Sequence, residues 1–480
     1  MDSSAGRLSE TAGGPPEKKG TSTATGDMDL ISRLPDELLC RILYCVSLRD
    51  AVRTSALSHR WQYISACEPL LQFNFEELFL TDSNYESFKT CEKPCIIYTE
   101  KFVEAVNQYL RYYKSENALS FKLDFCLDGE IEEYIDRWVK FALRKGVENI
   151  SLSLQCSRHC LKNGKAGEYH SGYVFRTELF DNVEIKLRHL ELNFCILGSN
   201  FTYQFSLLSS ISFSRVHFPV EDMDIMLSFL VNLKRLDITK CILPEKLGLG
   251  SVPLLQKFVV YRSYGLEEVQ LSNPNLTDLK CFCSNEIKCN LSGAPKLEKL
   301  SYAVSMEDFE RIFTNLPEQN AQLTTLTVVS LDDWIDWAPP TRLRTLNQVT
   351  SLDLHFILPS EFSLVKTMAI LQAFPHLSFF CLMMTCPIDL EGETIQLSYV
   401  PQYLKQMVIA QFFYTPMQME FAIHLLKNAS ALEKMSIAIT PESIPIGMTL
   451  EEGHRLITQK LQAYDKGDVL EIQMFPEMPQ

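Results

Sequence analysis

From Val147 onward the chain keeps returning to one phrase: an apolar residue, a second three positions on, and a third two beyond that. Val147-Ile150-Leu152, Leu187-Leu190-Leu192, Leu208-Ile211-Phe213, Leu233-Leu236-Ile238, Leu255-Phe258-Val260, Leu266-Val269-Leu271 and Leu276-Leu279-Cys281 make the first part of the series. Leu297-Leu300-Tyr302, Leu323-Leu326-Val328, Val349-Leu352-Leu354, Leu377-Phe380-Leu382, Leu404-Met407-Ile409 and Leu432-Met435-Ile437 complete it. Most neighbours lie 21 to 28 residues apart, inside the range of about 20–29 for leucine-rich repeats. The gaps of 11 and 10 around Leu266 read as repeats lacking a convex segment. The second and third residues of each phrase point the same way on a short strand, so stacked phrases predict a parallel sheet with a shared core. Each buried aliphatic or aromatic side chain contributes about 1.5–3 kcal/mol. No single repeat outweighs its ordering entropy, but a dozen together can. The prediction is a solenoid. Between phrases, Lys101–Tyr113 (Phe102, Val106, Tyr109, Leu110) and Ile131–Leu143 (Ile135, Trp138, Val139, Ala142) carry the helical period. A helix over about 450–464 and a strand near 469–474 are expected to close the far end.

Ahead of the repeats the period changes. Pro35 suits a first helical position, and Asp36 and Glu37 follow where the helix dipole favours negative charge. Stepping about 100° per residue, Leu38, Leu39, Ile42, Leu43, Cys45 and Val46 cover an arc of about 180°, against about 100° for an ordinary surface helix. Asp36, Glu37, Cys40, Arg41 and Tyr44 fill the other half. Ser47 and Asp50 form a capping pattern before a short helix with Leu48, Ala51 and Val52, and Leu57, Trp61 and Ile64 mark a third. Three short helices bury too little to cover a half-apolar first helix, so a different polypeptide is expected to cover it.

Composition narrows the classes. The chain has 480 residues, 46% hydrophobic and 22% charged, a globular composition with room for roughly three domains of about 150 residues. Residues 1–27, rich in Ser, Thr, Gly and Pro, read as a disordered leader without the apolar core a secretion signal needs. No apolar stretch reaches the about 18 residues of a membrane span. With 45 Lys and Arg against 60 Asp and Glu, a net charge of −15, and no basic run, nucleic acid is not an expected partner. Fifteen cysteines without a signal read as reduced thiols in cytoplasm or nucleus.

Catalytic chemistry finds no carrier. There is no G-x-S-x-G elbow, P-loop, H-E-x-x-H or dinucleotide glycine pattern. Cys156, His159, Cys160 and His170 resemble a zinc motif in type but lack a second C-x-x-C at finger spacing, and read as chance clustering. No catalytic residue, metal or cofactor is expected. The acidic pairs Glu132-Glu133, Asp332-Asp333 and Glu451-Glu452 read as solvated surface, and the five N-x-S/T sequons as incidental. Trp334 and Trp337, set among acidic residues in a loop that interrupts the repeats, are candidate target contacts.

The segment Asp29-Leu-Ile-Ser-Arg-Leu-Pro-Asp-Glu-Leu-Leu39, then Ile42-Leu43, then Ala51-Val-Arg-Thr-Ser-Ala-Leu-Ser-His-Arg-Trp61, closely resembles the F-box. Residues 138–154 resemble the early repeats of plant F-box proteins of the leucine-rich class. Leu404, Met407, Ile409, Glu420-Phe421, Leu425-Leu426, Asn428-Ala429 and Leu432–Ile437 resemble the FBD module of those proteins, though 411–419 lacks the expected glycine-containing turn. The resemblance covers most of residues 28–440. It implies an α/β architecture: a three-helix F-box (28–68), an irregular leucine-rich-repeat solenoid with a parallel sheet (69–400), an FBD-like terminal repeat (401–440) and a C-terminal cap (441–480).

By the same resemblance Leu34, Pro35, Leu38, Ile42, Leu43 and Trp61 are the apolar contacts to a Skp-type adaptor and, through it, a cullin. The pattern does not separate those that face the adaptor from those that hold the helices together. The expected function is substrate recognition in an SCF-type E3 ubiquitin ligase, noncatalytic, with a target protein on the solenoid. A small-molecule-sensing receptor and a repeat scaffold outside the ligase are the alternatives.

Overall fold

The structure is a computed structural model that describes residues 31–79, 94–125, 131–154, 172–305, 322–330, 345–356, 370–384 and 399–475, apart from 44–45, 47, 55, 66–68, 199–202, 218–222, 284, 286, 445–446 and 466. The leader, the Cys156–His170 cluster and the Trp334–Trp337 loop lie outside the described residues.

Three short helices come first: α1 (Asp36–Leu43), α2 (Leu48–Thr54) and α3 (His59–Ser65). Asp36 and Glu37 occupy the first turn of α1, and the Ser58 Oγ at the start of α3 accepts from the Trp61 N–H at 3.2 Å. Leu39, Leu43, Trp61 and Ile64 form a small core separate from the rest, with Leu34 and Cys40 packed on it. Cys40, on the half of α1 that the pattern assigns to solvent, is thus drawn partly inward.

The remaining elements begin with β1 (Leu70–Asn74), α4 (Phe75–Phe79), α5 (Pro94–Tyr112), β2 (Ser120–Asp124), α6 (Glu132–Arg144), β3 (Asn149–Ser153), β4 (Val174–Phe175), β5 (His189–Asn193) and β6 (Ile196–Leu197). Next are β7 (Ser210–Ser214), α7 (Met223–Phe229), β8 (Arg235–Thr239), β9 (Lys246–Gly248), β10 (Lys257–Tyr261), β11 (Glu268–Gln270), β12 (Asp278–Phe282), β13 (Lys288–Cys289) and β14 (Lys299–Val304). The last are β15 (Thr325–Ser330), β16 (Ser351–Phe356), β17 (Phe379–Met384), β18 (Gln406–Ala410), α8 (Pro416–Asn428), β19 (Lys434–Ile439), α9 (Leu450–Gln462) and β20 (Leu470–Met474).

Among the described residues fifteen of these strands form one sheet in chain order, and the pairings within it are parallel. Registers align the phrases directly, as in Leu236↔Phe258 and Phe258↔Leu279, so the second and third residues of successive phrases stack into one continuous buried core. The alternation is visible in burial: in β16 and β17 Leu352, Leu354, Phe380 and Leu382 are buried while Asp353, His355, Cys381 and Met383 lie on the open face.

Two features differ from the sequence expectation. The phrase at Leu266 is not a repeat lacking its convex segment. Its strand β11 pairs with β9 and β13 in a second, three-stranded sheet, so it is itself the crossover segment of the repeat that starts at Leu255. The sheet also starts earlier than the series of phrases, with β1 and β2, whose inward residues are Leu71, Phe73, Phe121 and Leu123.

At the far end, β18, α8 and β19 continue the same sheet and core. Where a glycine turn is expected, Gln411 and Tyr414 take positive φ instead, at 59° and 54°. α9 carries a capping box in which Thr449 Oγ1 accepts from the Glu452 N–H at 3.2 Å and a Glu452 carboxylate oxygen accepts from the Thr449 N–H at 2.9 Å. It packs beside β20, the last strand of the sheet. Among the described residues no helix is long and apolar enough to cross a membrane.

Candidate partner-binding surfaces

α1 carries two i, i+4 rows of apolar residues about 100° apart. Leu39 and Leu43 face the small core and are buried. Leu38 and Ile42 face outward, each 42% exposed, and Pro35, three residues before Leu38, is exposed beside them. Ile31, Val46 and Leu57 are further exposed apolar side chains of this unit. Of the six residues implied as adaptor contacts, Pro35, Leu38 and Ile42 therefore share one outward row. Leu34 is partly buried at its edge, while Leu43 and Trp61 lie inside the small core. Polar bonds hold this arrangement: the Arg60 guanidinium on α3 pairs with Asp36 at the start of α1 at 2.6 Å and donates to the Leu34 carbonyl.

The open face of the sheet is the second surface. Three of its carboxylates pair with neighbouring cations, Lys257 with Asp278 at 3.0 Å, Arg235 with Asp237 at 2.6 Å, and Lys434 with Glu471 at 2.6 Å, while Asp124 and Glu191 accept from Asn74 and Ser151. The Lys434 ammonium holds the Glu471 carboxyl below its ordinary value. Just past β5, β7, β8 and β10, the residues Phe194, Arg215, Lys240 and Arg262 take positive φ between 48° and 62°. A side chain in that region costs about 1–2 kcal/mol, offset here by hydrogen bonds from Phe194, Arg215 and Lys240 N–H to the next strand's carbonyls at 2.9 Å. The ladder stacks three cations, and partial burial, then Arg215 and Arg262, push the Lys240 ammonium below its ordinary value.

Asp353, His355 and Cys381 form a different kind of cluster on this face. Asp353 and His355 are two apart on β16, with His355 Nε2 and Asp353 Oδ1 2.8 Å apart, and Cys381 is in register with Asp353 on β17. Burial pushes the Cys381 thiol up, and the adjacent Asp353 carboxylate adds to the shift. Ligand spacing along the chain does not reveal this trio, because its members meet across strands. Aligning the phrases would have shown it: Asp353 lies between Leu352 and Leu354, and Cys381 between Phe380 and Leu382.

The F-box domain family matches residues 31–72, and the family described as At1g61320/AtMIF1, LRR domain, matches residues 114–460. Among curated proteins of Arabidopsis thaliana, the F-box/LRR-repeat protein At3g03360 is 25% identical over 281 residues, 56% of this chain and 50% of its own length. F-box protein At5g03100 is 28% identical over 40% of this chain and, likewise, 50% of its own. The chain thus spans about half the length of these relatives. The FBD-associated F-box protein At5g22730 is 24% identical over 87% of this chain and 89% of its own. Among solved structures, the functional domain of InlJ from Listeria monocytogenes is similar over 63% of this chain and 61% of its own, at 13% identity and a TM-score of 0.22.

Proposed function

Because the chain belongs to the plant F-box/leucine-rich-repeat family, we propose that it is the substrate-recognition subunit of an SCF-type E3 ubiquitin ligase. In this reading the three-helix unit docks on a Skp-type adaptor, and through it a cullin, while the solenoid holds a target protein in the cytoplasm or nucleus. The chain is noncatalytic. Bond-making belongs to its partners, and its contribution is to raise the effective concentration of a target lysine near the ubiquitin thioester.

The observation that carries the reading is the division of α1 into a row buried within the chain and an outward row, Pro35, Leu38 and Ile42, that stays exposed. Leaving large aliphatic side chains in water at helical spacing is what a helix does when a partner's groove covers it. Leu34 would pack at the edge of that contact, and Leu43 and Trp61 would act from inside by fixing the angle at which the row is presented. The open face of the sheet and the Trp334–Trp337 loop are the proposed target surfaces.

Reconstitution tests the reading. Full-length protein with a Skp-type adaptor, cullin, RING subunit and charged conjugating enzyme should co-purify as one complex and ubiquitinate a captured target. The Leu38→Glu/Ile42→Glu variant should lose both co-purification and transfer. A folded double variant that still assembles and transfers would overturn the reading.

A further inference from the structure

We propose that Asp353, His355 and Cys381 form a binding site for a divalent transition ion of the Zn2+ class, held on the open face of the sheet with one coordination position facing outward. The inference is independent of the ligase reading.

Donor chemistry selects the ion. A thiolate sulfur, an imidazole nitrogen and a carboxylate oxygen are a mixed set suited to Zn2+ or Co2+, not to the all-oxygen shells of Ca2+ and Mg2+. Three protein ligands plus one outer position is the pattern of an open tetrahedral site.

Geometry supports it. One donor atom from each residue lies within 4.8 Å of the others. Zn2+ bonds of about 2.0–2.3 Å put tetrahedral donors roughly 3.3–3.7 Å apart. The 2.8 Å between His355 Nε2 and Asp353 Oδ1 lies below that spacing and the 4.8 Å limit above it, an adjustment that side-chain rotation supplies. The backbones are fixed beforehand: β16 is paired with β15 and β17, and β17 with β16 and β18. No loop has to be ordered on binding.

The surroundings of Asp353 are the second observation. On the same face Asp237, Asp278 and Glu471 each have an Arg or Lys, and Asp124 and Glu191 a neutral amide or hydroxyl donor. The register neighbours of Asp353 are Thr327 and Cys381, neither of them cationic. The flanking open-face positions Val329, Met383 and Val408 are apolar and half-buried. A carboxylate among apolar neighbours, beside a thiol and an imidazole, is where a bound cation gains most. On binding, the Cys381 S–H releases its proton to solvent, and Asp353 exchanges its hydrogen bonds for a bond to the metal.

Titration of the reduced full-length protein with Co2+, as spectroscopic stand-in, tests the site. One equivalent should give a thiolate-to-cobalt charge-transfer band with the strong visible bands of four-coordinate Co2+, and Zn2+ should abolish both. Cys381→Ser should lose the charge-transfer band, whereas Cys160→Ser and Cys289→Ser should keep it. Losing a partner of a metal ligand alone costs about 10–100-fold in affinity, so Asp353→Asn/His355→Gln should weaken Zn2+ by at least about a hundredfold in competition with a chelator. This second variant, with circular dichroism as folding control, decides the matter if Cys381→Ser is unstable. Absence of the band at stoichiometric Co2+, its survival in Cys381→Ser, or unchanged Zn2+ affinity in Asp353→Asn/His355→Gln would each overturn the proposal.

Discussion

Leu38 and Leu39 are adjacent in the chain, yet Leu39 is fully buried in the small helical core and Leu38 is 42% exposed. The separation follows from the helical step of about 100°. The apolar arc was legible in the sequence, but its division was not, because the direction that counts as inward depends on where Trp61 and Ile64 of α3 come to rest. Leu43→Ala should therefore cost about 2–5 kcal/mol, locally: hydrogen-exchange protection over 36–65 should fall while the solenoid's melt, which rests on a separate core, is unmoved. Leu38→Glu should keep that protection, and equal losses in both variants would refute the division. Thiols provide a second residue-scale prediction. Burial pushes Cys195 up to about 12 and Cys241 up to about 11, against about 8.5 in the unfolded chain. Below about pH 8.5 both states hold these protons. Above it the unfolded chain releases them while the folded chain keeps them, so stability falls as pH rises toward 11–12. The fall in melting temperature above pH about 8.5, measured under reducing conditions, should flatten in Cys195→Ala and Cys241→Ala; unchanged slopes would contradict this.

The strand phrase predicts most of the large sheet because it records one physical requirement, two inward side chains two positions apart beneath a shared core. It fails where that requirement is met by other means. Ala118, Phe121 and Leu123 satisfy it with a small first residue, so β2 escapes a search for large ones. Leu266, Val269 and Leu271 satisfy it on the second sheet, so β11 looks like a repeat of its own. Glycine punctuation is a similarly partial guide, since Lys240, Arg262 and Gln411 adopt the left-handed conformation without it. Gly293 is needed for a different reason: a Cβ there would sit 1.6 Å from the Leu271 carbonyl oxygen, where one crossover rests on the backbone of the one before it. Gly293→Ala should destabilise by at least the about 1–3 kcal/mol of an overpacked core. It should lower the melt of the whole solenoid, because neighbouring repeats share their interfaces. A melting temperature equal to that of the wild type would show that the contact yields.

At the scale of the molecule, two separate cores among the described residues serve two purposes. The larger runs from Leu71 to Leu461 beneath a sheet that already includes the FBD-like segment and the terminal strand. The smaller holds α1 so that its second apolar row faces outward. With a net charge of −15 the chain has an overall field suited to basic partners, while the proposed contact at α1 is apolar and binding there should depend little on salt. The sequence motif points to this proposed contact, whereas the candidate metal trio is assembled only by the register of strands 28 residues apart. Calorimetric titration of a purified Skp-type adaptor into the full-length chain is the most direct test, with circular dichroism of each variant as the folding control. The wild type should bind one adaptor. Leu38→Glu/Ile42→Glu should weaken binding by at least about thirtyfold, the loss of about 2 kcal/mol expected of an interface anchor. Affinity within twofold of wild type in a folded double variant would contradict the account at its centre.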